Sequence, residues 1–202
     1  MFRVVRAHPS RIRLFRSQWL ELTTLTPLPV FLAVWLPTST LLMVMAFVKN
    51  PPLLALGGLI TGAIVWASCE YLIHRYIFHL RLRSRLGRQM IFMTHGNHHA
   101  DPGDPLRSIM PLTVTIPLAL LIWSACHTFG GGKGEAVCAG FVAGYMSYDF
   151  VHWACHQSRS RGRLIRRLRR HHMLHHHARR DGNYATTVPL IDRLFRTYIR
   201  TR

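Results

Sequence analysis

Four apolar runs dominate this chain: Leu28 to Val48, Pro52 to Ile73, Ile109 to Phe129 and Ala136 to Cys155. Each is about 20 residues long, and at 1.5 Å rise per residue a helix of that length spans about 30 Å, the depth of a bilayer's hydrocarbon core. The first and third runs carry no charged residue, and the second and fourth carry only Glu70 and Asp149, near their C-terminal ends. Core helices of a water-soluble protein would show a polar face at 3.6-residue spacing, and these runs do not. The expectation is an all-α integral membrane protein with four transmembrane helices at about 28–48, 52–73, 109–129 and 136–155.

The runs pair into two helical hairpins, because Lys49-Asn50-Pro51 joins the first two and a glycine-rich turn, residues 130–134, joins the last two. Basic residues outnumber acidic ones 26 to 8. A disordered basic tail is excluded by the 49% apolar content, and nucleic-acid binding is disfavoured because no RNA- or DNA-binding pattern accompanies the charge. Every arginine lies in the N-terminal segment, in the stretch from Arg75 to Arg107, or from Arg159 onward, whereas the hairpin tips hold Lys49 and Lys133. The positive-inside rule makes the arginine side cytoplasmic. Residues 1–26 read as a basic segment lying at headgroup level ahead of a domain at 27–202, with the first run a retained anchor rather than a signal peptide. A bacterial inner membrane suits the arginine-rich, short chain, with the endoplasmic reticulum the eukaryotic equivalent. The four cysteines, Cys69, Cys126, Cys138 and Cys155, form no CxxC pair and read as buried thiols.

Histidine is the residue that carries the chemistry. Twelve of the 14 occupy four short windows: His74 and His79; His95, His98 and His99; His152 and His156; and His171, His172, His175, His176 and His177. All four windows fall at or beyond the cytoplasmic ends of the runs, so a cytoplasmic histidine-rich helical cap is expected there. Residues at i, i+3 and i+4 share a helical face, so His95, His98 and His99 are expected to point together, as are His172, His175 and His176, and His152 with His156. His74 and His79, five apart, diverge by about 140° in a regular helix and so either straddle two metals or sit where the helix unwinds. Ten imidazoles exceed the needs of one ion, whereas two ions take about five each. His8 and His127 read as isolated side chains, and His171 and His177 as either spare or ligating. Glu70 precedes His74 by four residues and Asp149 precedes His152 by three, where each could accept the ring N–H of a ligand and orient it.

Imidazole serves iron, zinc and copper alike. Two nitrogen-rich metal sites beside lipid point to iron and O₂; a zinc-dependent lipid amide or ester hydrolase is the alternative, although HExxH is missing, and a non-catalytic metal-binding protein is the third reading.

Four passages carry a family resemblance: residues 70–79 (EYLIHRYIFH); residues 95–111 (HGNHHADPGDPLRSIMP); residues 148–156 (YDFVHWACH); and residues 172–176 (HMLHH) followed by Asn183-Tyr184-Ala185-Thr186-Thr187 and Asp192-Arg193-Leu194-Phe195. Over residues 55–198 the chain resembles the fatty acid hydroxylase and sterol desaturase superfamily, and is most similar to the fatty acid 2-hydroxylases. The resemblance implies a di-iron centre ligated by His74, His79, His95, His98, His99, His152, His156, His172, His175 and His176, with zinc a substitute in purified protein. It also implies O₂-dependent hydroxylation of an acyl chain near its carboxyl or amide end, with electrons from a separate donor protein. A carotenoid or sterol hydroxylase or desaturase is the alternative within the superfamily. Gln157, Ala185 and Arg196 depart from the usual pattern, and none is a proposed ligand.

Overall fold

A computed structural model describes residues 11–200. Its helices are α1 (Gln18–Leu22), α2 (Leu28–Lys49), α3 (Pro52–Leu72), α4 (Arg85–Ile91), α5 (Asn97–Ala100), α6 (Leu112–Gln157), α7 (Arg163–His177) and α8 (Pro189–Leu194), and there is no strand among the described residues. Two π-helical turns, Ile73–Phe78 and Phe92–Gly96, continue α3 and α4. The architecture is all-helical, with three helices long and apolar enough to cross a membrane: α2, α3 with its π-turn, and α6.

The third of these is two expected runs in one. A straight helix of 46 residues would be about 69 Å long. Instead the amide of Met110, two residues ahead of α6, lies 3.3 Å from the carboxylate of Asp149 near its other end. The chain therefore doubles back, and it does so at Gly131, whose φ of +53° and ψ of −138° suit glycine. The glycine-rich segment 130–134, expected to be a loop, is otherwise helical, and the arms 112–130 and 132–157 lie against each other.

The two long hydrophobic faces meet through small residues. A Cβ on Gly62 of α3 would lie 1.9 Å from the carbonyl oxygen of Val137, and one on Gly140 would lie 2.0 Å from that of Leu59. Only glycine permits this approach of backbones, as at many helix contacts in lipid. Beside this seam Tyr145 receives the edges of Trp35 and Trp66, at centroid distances of 5.0 and 5.3 Å, and Phe31 and Val142 complete the interior. The outward faces are apolar too: Leu53 is 81% and Phe129 90% exposed, the inverse of a water-soluble surface. At the end remote from the histidines, Lys49 donates to Glu135 at 2.8 Å and the Asn50 amide donates to the Gly132 carbonyl at 2.8 Å, tying the two turns together.

Of the segment expected at headgroup level, residues 1–10 and with them His8 lie outside the described residues. Residues 11–26 fold as irregular chain around α1 and are fastened to the 101–111 loop. Buried Glu21 accepts from Arg107 and from the amides of Leu14 and Phe15 at 2.9 Å, and Arg11 donates to Asp104 at 2.7 Å. All four cysteines are free; Cys138 and Cys155 are buried, and Cys69 and Cys126 are half-buried.

Candidate metal centre

The histidine windows converge where the long helices end. His74, His79, His95, His99 and His175 form one cluster, and His98, His152, His156, His172 and His176 form a second; within each, the candidate donor atoms all lie within 4.8 Å of one another. The clusters adjoin, with the rings of His99 and His176 stacked at 4.2 Å. All ten histidines singled out from the sequence are thus brought together, five and five.

The partition differs from the expected one in an instructive way. His95 and His99 face one cluster while His98, between them, faces the other; His172 and His176 likewise part from His175. Each triplet therefore bridges the two clusters instead of serving one, because i and i+4 are nearly aligned while the third residue points across the gap. His74 and His79 share a cluster: the π-turn at 73–78 has i→i+5 hydrogen bonding, which brings residues five apart onto one face. The unwinding alternative is the one realised. His95 sits in the other π-turn.

Backbone carbonyls set the tautomers. The Nδ1–H of His74 donates to Tyr184 O at 2.6 Å, that of His175 to Gly182 O at 2.8 Å, and that of His152 to Ser108 O at 2.8 Å. A carbonyl only accepts, so in these three rings Nε2 carries the lone pair. Those lone pairs face other imidazoles: in the first cluster successive Nε2 atoms of His74, His95, His99, His175 and His79 are 3.1, 3.0, 3.1 and 3.1 Å apart. In the second, His172 Nε2 is 2.9 Å from that of His156 and 3.0 Å from that of His176, while His152 Nε2 and both ring nitrogens of buried His98 have no hydrogen-bond partner.

Such an array suits a cation. Two ligand nitrogens about 2.1 Å from one ion and at right angles to each other are about 3.0 Å apart. Protons do not substitute for metal here: burial holds His95, His98 and His172 well below the usual imidazole range and lowers His99 to about 4 and His175 to about 3, with neighbouring rings adding to the effect in each case. Burial thus favours the neutral form of all ten rings, the form metal binding requires.

The carboxylates act at one remove from the expected position. Glu70 does not meet the ring of His74; it accepts from Thr187 N at 3.0 Å and from the Thr187 hydroxyl, in the loop that supplies the Tyr184 carbonyl. Asp149 accepts from Met110 N, beside the Ser108 carbonyl that orients His152. The orienting carbonyls of Tyr184 and Ser108 come from loops, and each acid steadies the loop that carries one. Of the flanking histidines, His171 is buried and serves structure, whereas His177 is exposed. His171 Nε2 donates to Asp192 at 3.1 Å, and neither His171 nor His177 belongs to a cluster. His127 donates to Glu135 at 2.8 Å, far from the site.

Asp192 and Asn183 are the organising residues that sequence reasoning passed over, although both lie within the family-like passages. Fully buried Asp192 accepts from Tyr184 N at 2.9 Å, Ala185 N at 2.8 Å and the Thr197 hydroxyl at 2.7 Å. Asn183, at φ +56°, donates to His171 O and accepts from Ile199 N. Together they hold the turn whose carbonyls orient His74 and His175. A lone acid on a short helix and a left-handed Asn offer no periodic signal, so only their place in the resemblance could have marked them.

Two cavities reach the centre. One, of about 280 Å³, is walled by Leu14, Phe15, Met93, Met110, Val114 and Tyr148 and ends at His95, His98 and His152. The other, of about 390 Å³, is lined by Phe78, His79, Arg81, His99, His175, His176 and Asp181, with an exposed Arg81–Asp181 ion pair on its rim.

Apolar helices of membrane length, ending in ten convergent imidazoles with an apolar cavity alongside, define a membrane-type helical protein with a candidate metal centre. The chain belongs to the fatty acid hydroxylase family, a class of oxidoreductases, which it matches over residues 59–197. A dihydroceramide fatty acyl 2-hydroxylase of Arabidopsis thaliana is 28% identical over 187 residues, covering 92% of this chain and 79% of that protein. The fatty acid 2-hydroxylase of Homo sapiens is 32% identical over 146 residues, covering 70% of this chain and 39% of that protein. Among solved structures, the chain is similar to full-length scs7p, of which only the hydroxylase domain is visible: the TM-score is 0.83 at 29% identity, covering 91% of this chain and 70% of that one.

Proposed function

We propose that this protein hydroxylates carbon 2 of a lipid acyl chain, with two iron ions as its cofactor. The observation that supports the reading is the apolar cavity lined at one side by His95, His98 and His152, where an acyl chain would lie against the nitrogen clusters. The ten clustered histidines are the ligands in this reading, and two irons held there would supply O₂ reduction and removal of hydrogen from an acyl C–H bond. Balance requires two electrons and two protons per O₂, giving one hydroxyl on the lipid and one water. The electrons come from a separate donor protein. The relatives' printed names, with dihydroceramide and fatty acids as acyl sources, favour position 2. So does depth, because a carbon near the polar end of a lipid is the one that reaches a site at the ends of the long helices.

The protein's own contribution is placement. The carbonyls of Tyr184, Gly182 and Ser108 hold His74, His175 and His152 in one tautomer, and Glu70 and Asp149 steady the loops that carry them. Leu14 and Phe15 wall the cavity against water. In this reading the domain at 27–202 crosses the bilayer four times, since the two arms of α6 each match its thickness, and the arginine-bearing end with the centre lies on the cytoplasmic side.

Lipid mass spectrometry of cells with and without the gene tests the proposal. Acyl fragments gaining one oxygen at position 2 support it, whereas loss of two hydrogens identifies a desaturase and chain release a hydrolase. Metal analysis giving zinc alone in a fully active preparation would overturn the choice of iron.

A further inference from the structure

The turn around α8 carries a charged recess that the metal centre does not use. Arg193, Arg196, Tyr198 and Arg200 line a hollow of about 470 Å³, and the Arg193 guanidinium lies over the Tyr198 ring at 4.9 Å. Among the described residues no carboxylate pairs with any of these three arginines. The adjacent acid, Asp192, is fully buried and its charge is spent inward on the amides of Tyr184 and Ala185, on Thr197 and on His171. Arg196 holds φ at +59°, a left-handed conformation that favours glycine, and it does so where the chain reverses between Arg193 and Arg200. A strained backbone position that carries an exposed arginine points to a use for the side chain.

The surroundings specify what the recess meets. Leu190, Leu194 and Phe195 are 58%, 71% and 54% exposed on the same turn. Phe195 stacks on Tyr71 at 4.9 Å and the Tyr71 hydroxyl is 3.2 Å from that of Thr197, which pins the turn to the last residues of α3. The turn thus sits at the level where a membrane-length helix ends, with apolar side chains and guanidinium groups side by side. We propose that Arg193, Arg196 and Arg200 bind the phosphate of an anionic phospholipid headgroup, while Leu190 and Leu194 enter the acyl boundary of the same leaflet. Guanidinium groups match phosphate oxygens in paired hydrogen bonds, and short amphipathic segments of this composition bind at the interface. The inference rests on the reading that α2, α3 and α6 cross a membrane.

The test uses the full chain purified in a neutral detergent, titrated with dihexanoyl phosphatidylglycerol, dihexanoyl phosphatidylcholine or inorganic phosphate, with Tm shift and native mass spectrometry as readouts. Phosphatidylglycerol should raise Tm and co-migrate with the protein, and the other two should do neither at equal concentration. Arg196→Gly, which suits the left-handed backbone, should weaken phosphatidylglycerol binding about fivefold, the effect of one arginine near an anionic surface. Arg193→Ala with Arg200→Ala should weaken it further. The paired control Arg166→Ala with Arg167→Ala, on the exposed face of α7, removes the same charge elsewhere and should leave binding unchanged. Equal shifts with the two lipids, an equal shift with phosphate, unchanged binding in Arg196→Gly, or an equal loss in the α7 control would each overturn the proposal. Carbonate washing of native membranes examines the membrane reading separately, since a protein released into the wash fails that reading whatever the recess binds.

Discussion

Replacing Asp192 by Asn should empty one metal site and spare the other. Oδ1 of Asp192 accepts from Tyr184 N and Thr197 Oγ1, and Oδ2 accepts from Ala185 N and His171 Nε2. An amide keeps one of these oxygens and places an NH₂ group where the other stood. If the oxygen stays with Tyr184 and Thr197, the NH₂ faces two donors. His171 can respond by moving its proton to Nδ1, which has no partner, but Ala185 N–H is left buried without an acceptor. An orphaned buried donor and the lost charge on the remaining bonds together amount to about 2–4 kcal/mol. The strained turn carries the Tyr184 and Gly182 carbonyls, which orient His74 and His175, both in the first cluster. His152, in the second, is oriented by Ser108 from a different loop. Loss of such outer contacts weakens metal binding about 10–100-fold. Elemental analysis after dialysis against a metal buffer should therefore fall from two metals per chain to about one, with Tm lowered. Retention of both metals, or equal loss of both, would refute the assignment of the 182–187 turn to the first cluster.

His98→Ala removes a donor from the second cluster at the end of the apolar cavity and should abolish the hydroxylated product, whereas His177→Ala, outside both clusters, should retain wild-type turnover in the same lipid assay. Gly62→Val would drive a Cβ to 1.9 Å from the Val137 carbonyl; forced separation of α3 and α6 should cost about 3 kcal/mol or more and appear as a lower Tm in detergent, while Gly57→Ala, whose Cβ meets nothing within 4 Å, should not. The metal-free protein should lose stability as pH falls from about 6.5 toward 4. His99 and His175 are lowered to about 4 and 3, so in that window the unfolded chain binds protons that the folded one refuses, at up to about 1.4 kcal/mol per pH unit for each ring. Denaturant midpoints of the chelated protein at pH 7 and pH 5 measure this, and a flat profile would show that the rings are not buried as a group.

The apolar helices of membrane length and the histidine clusters were both legible in the linear chain, because each depends on residue type over a short stretch. Twenty apolar residues need no tertiary information to favour a bilayer, and histidines three and four apart meet on any helix that forms. What the chain could not display depends on distant segments and on departures from regular helix. The assignment of His98 to one cluster and of His95 and His99 to the other follows from how α5 meets α6 and α7, and the shared cluster of His74 and His79 follows from a π-turn that no local pattern announces. The expected contacts of Glu70 and Asp149 with ring nitrogens gave way to loop amides 117 and 39 residues away in sequence. The doubling back of α6 at Gly131 and the capture of Glu21 by Arg107 likewise belong to the folded molecule. Composition and spacing decide which groups are available and which solvent each stretch prefers; only the packed backbone decides which lone pairs face one another, since that is a matter of ångström-scale distances between segments remote in sequence.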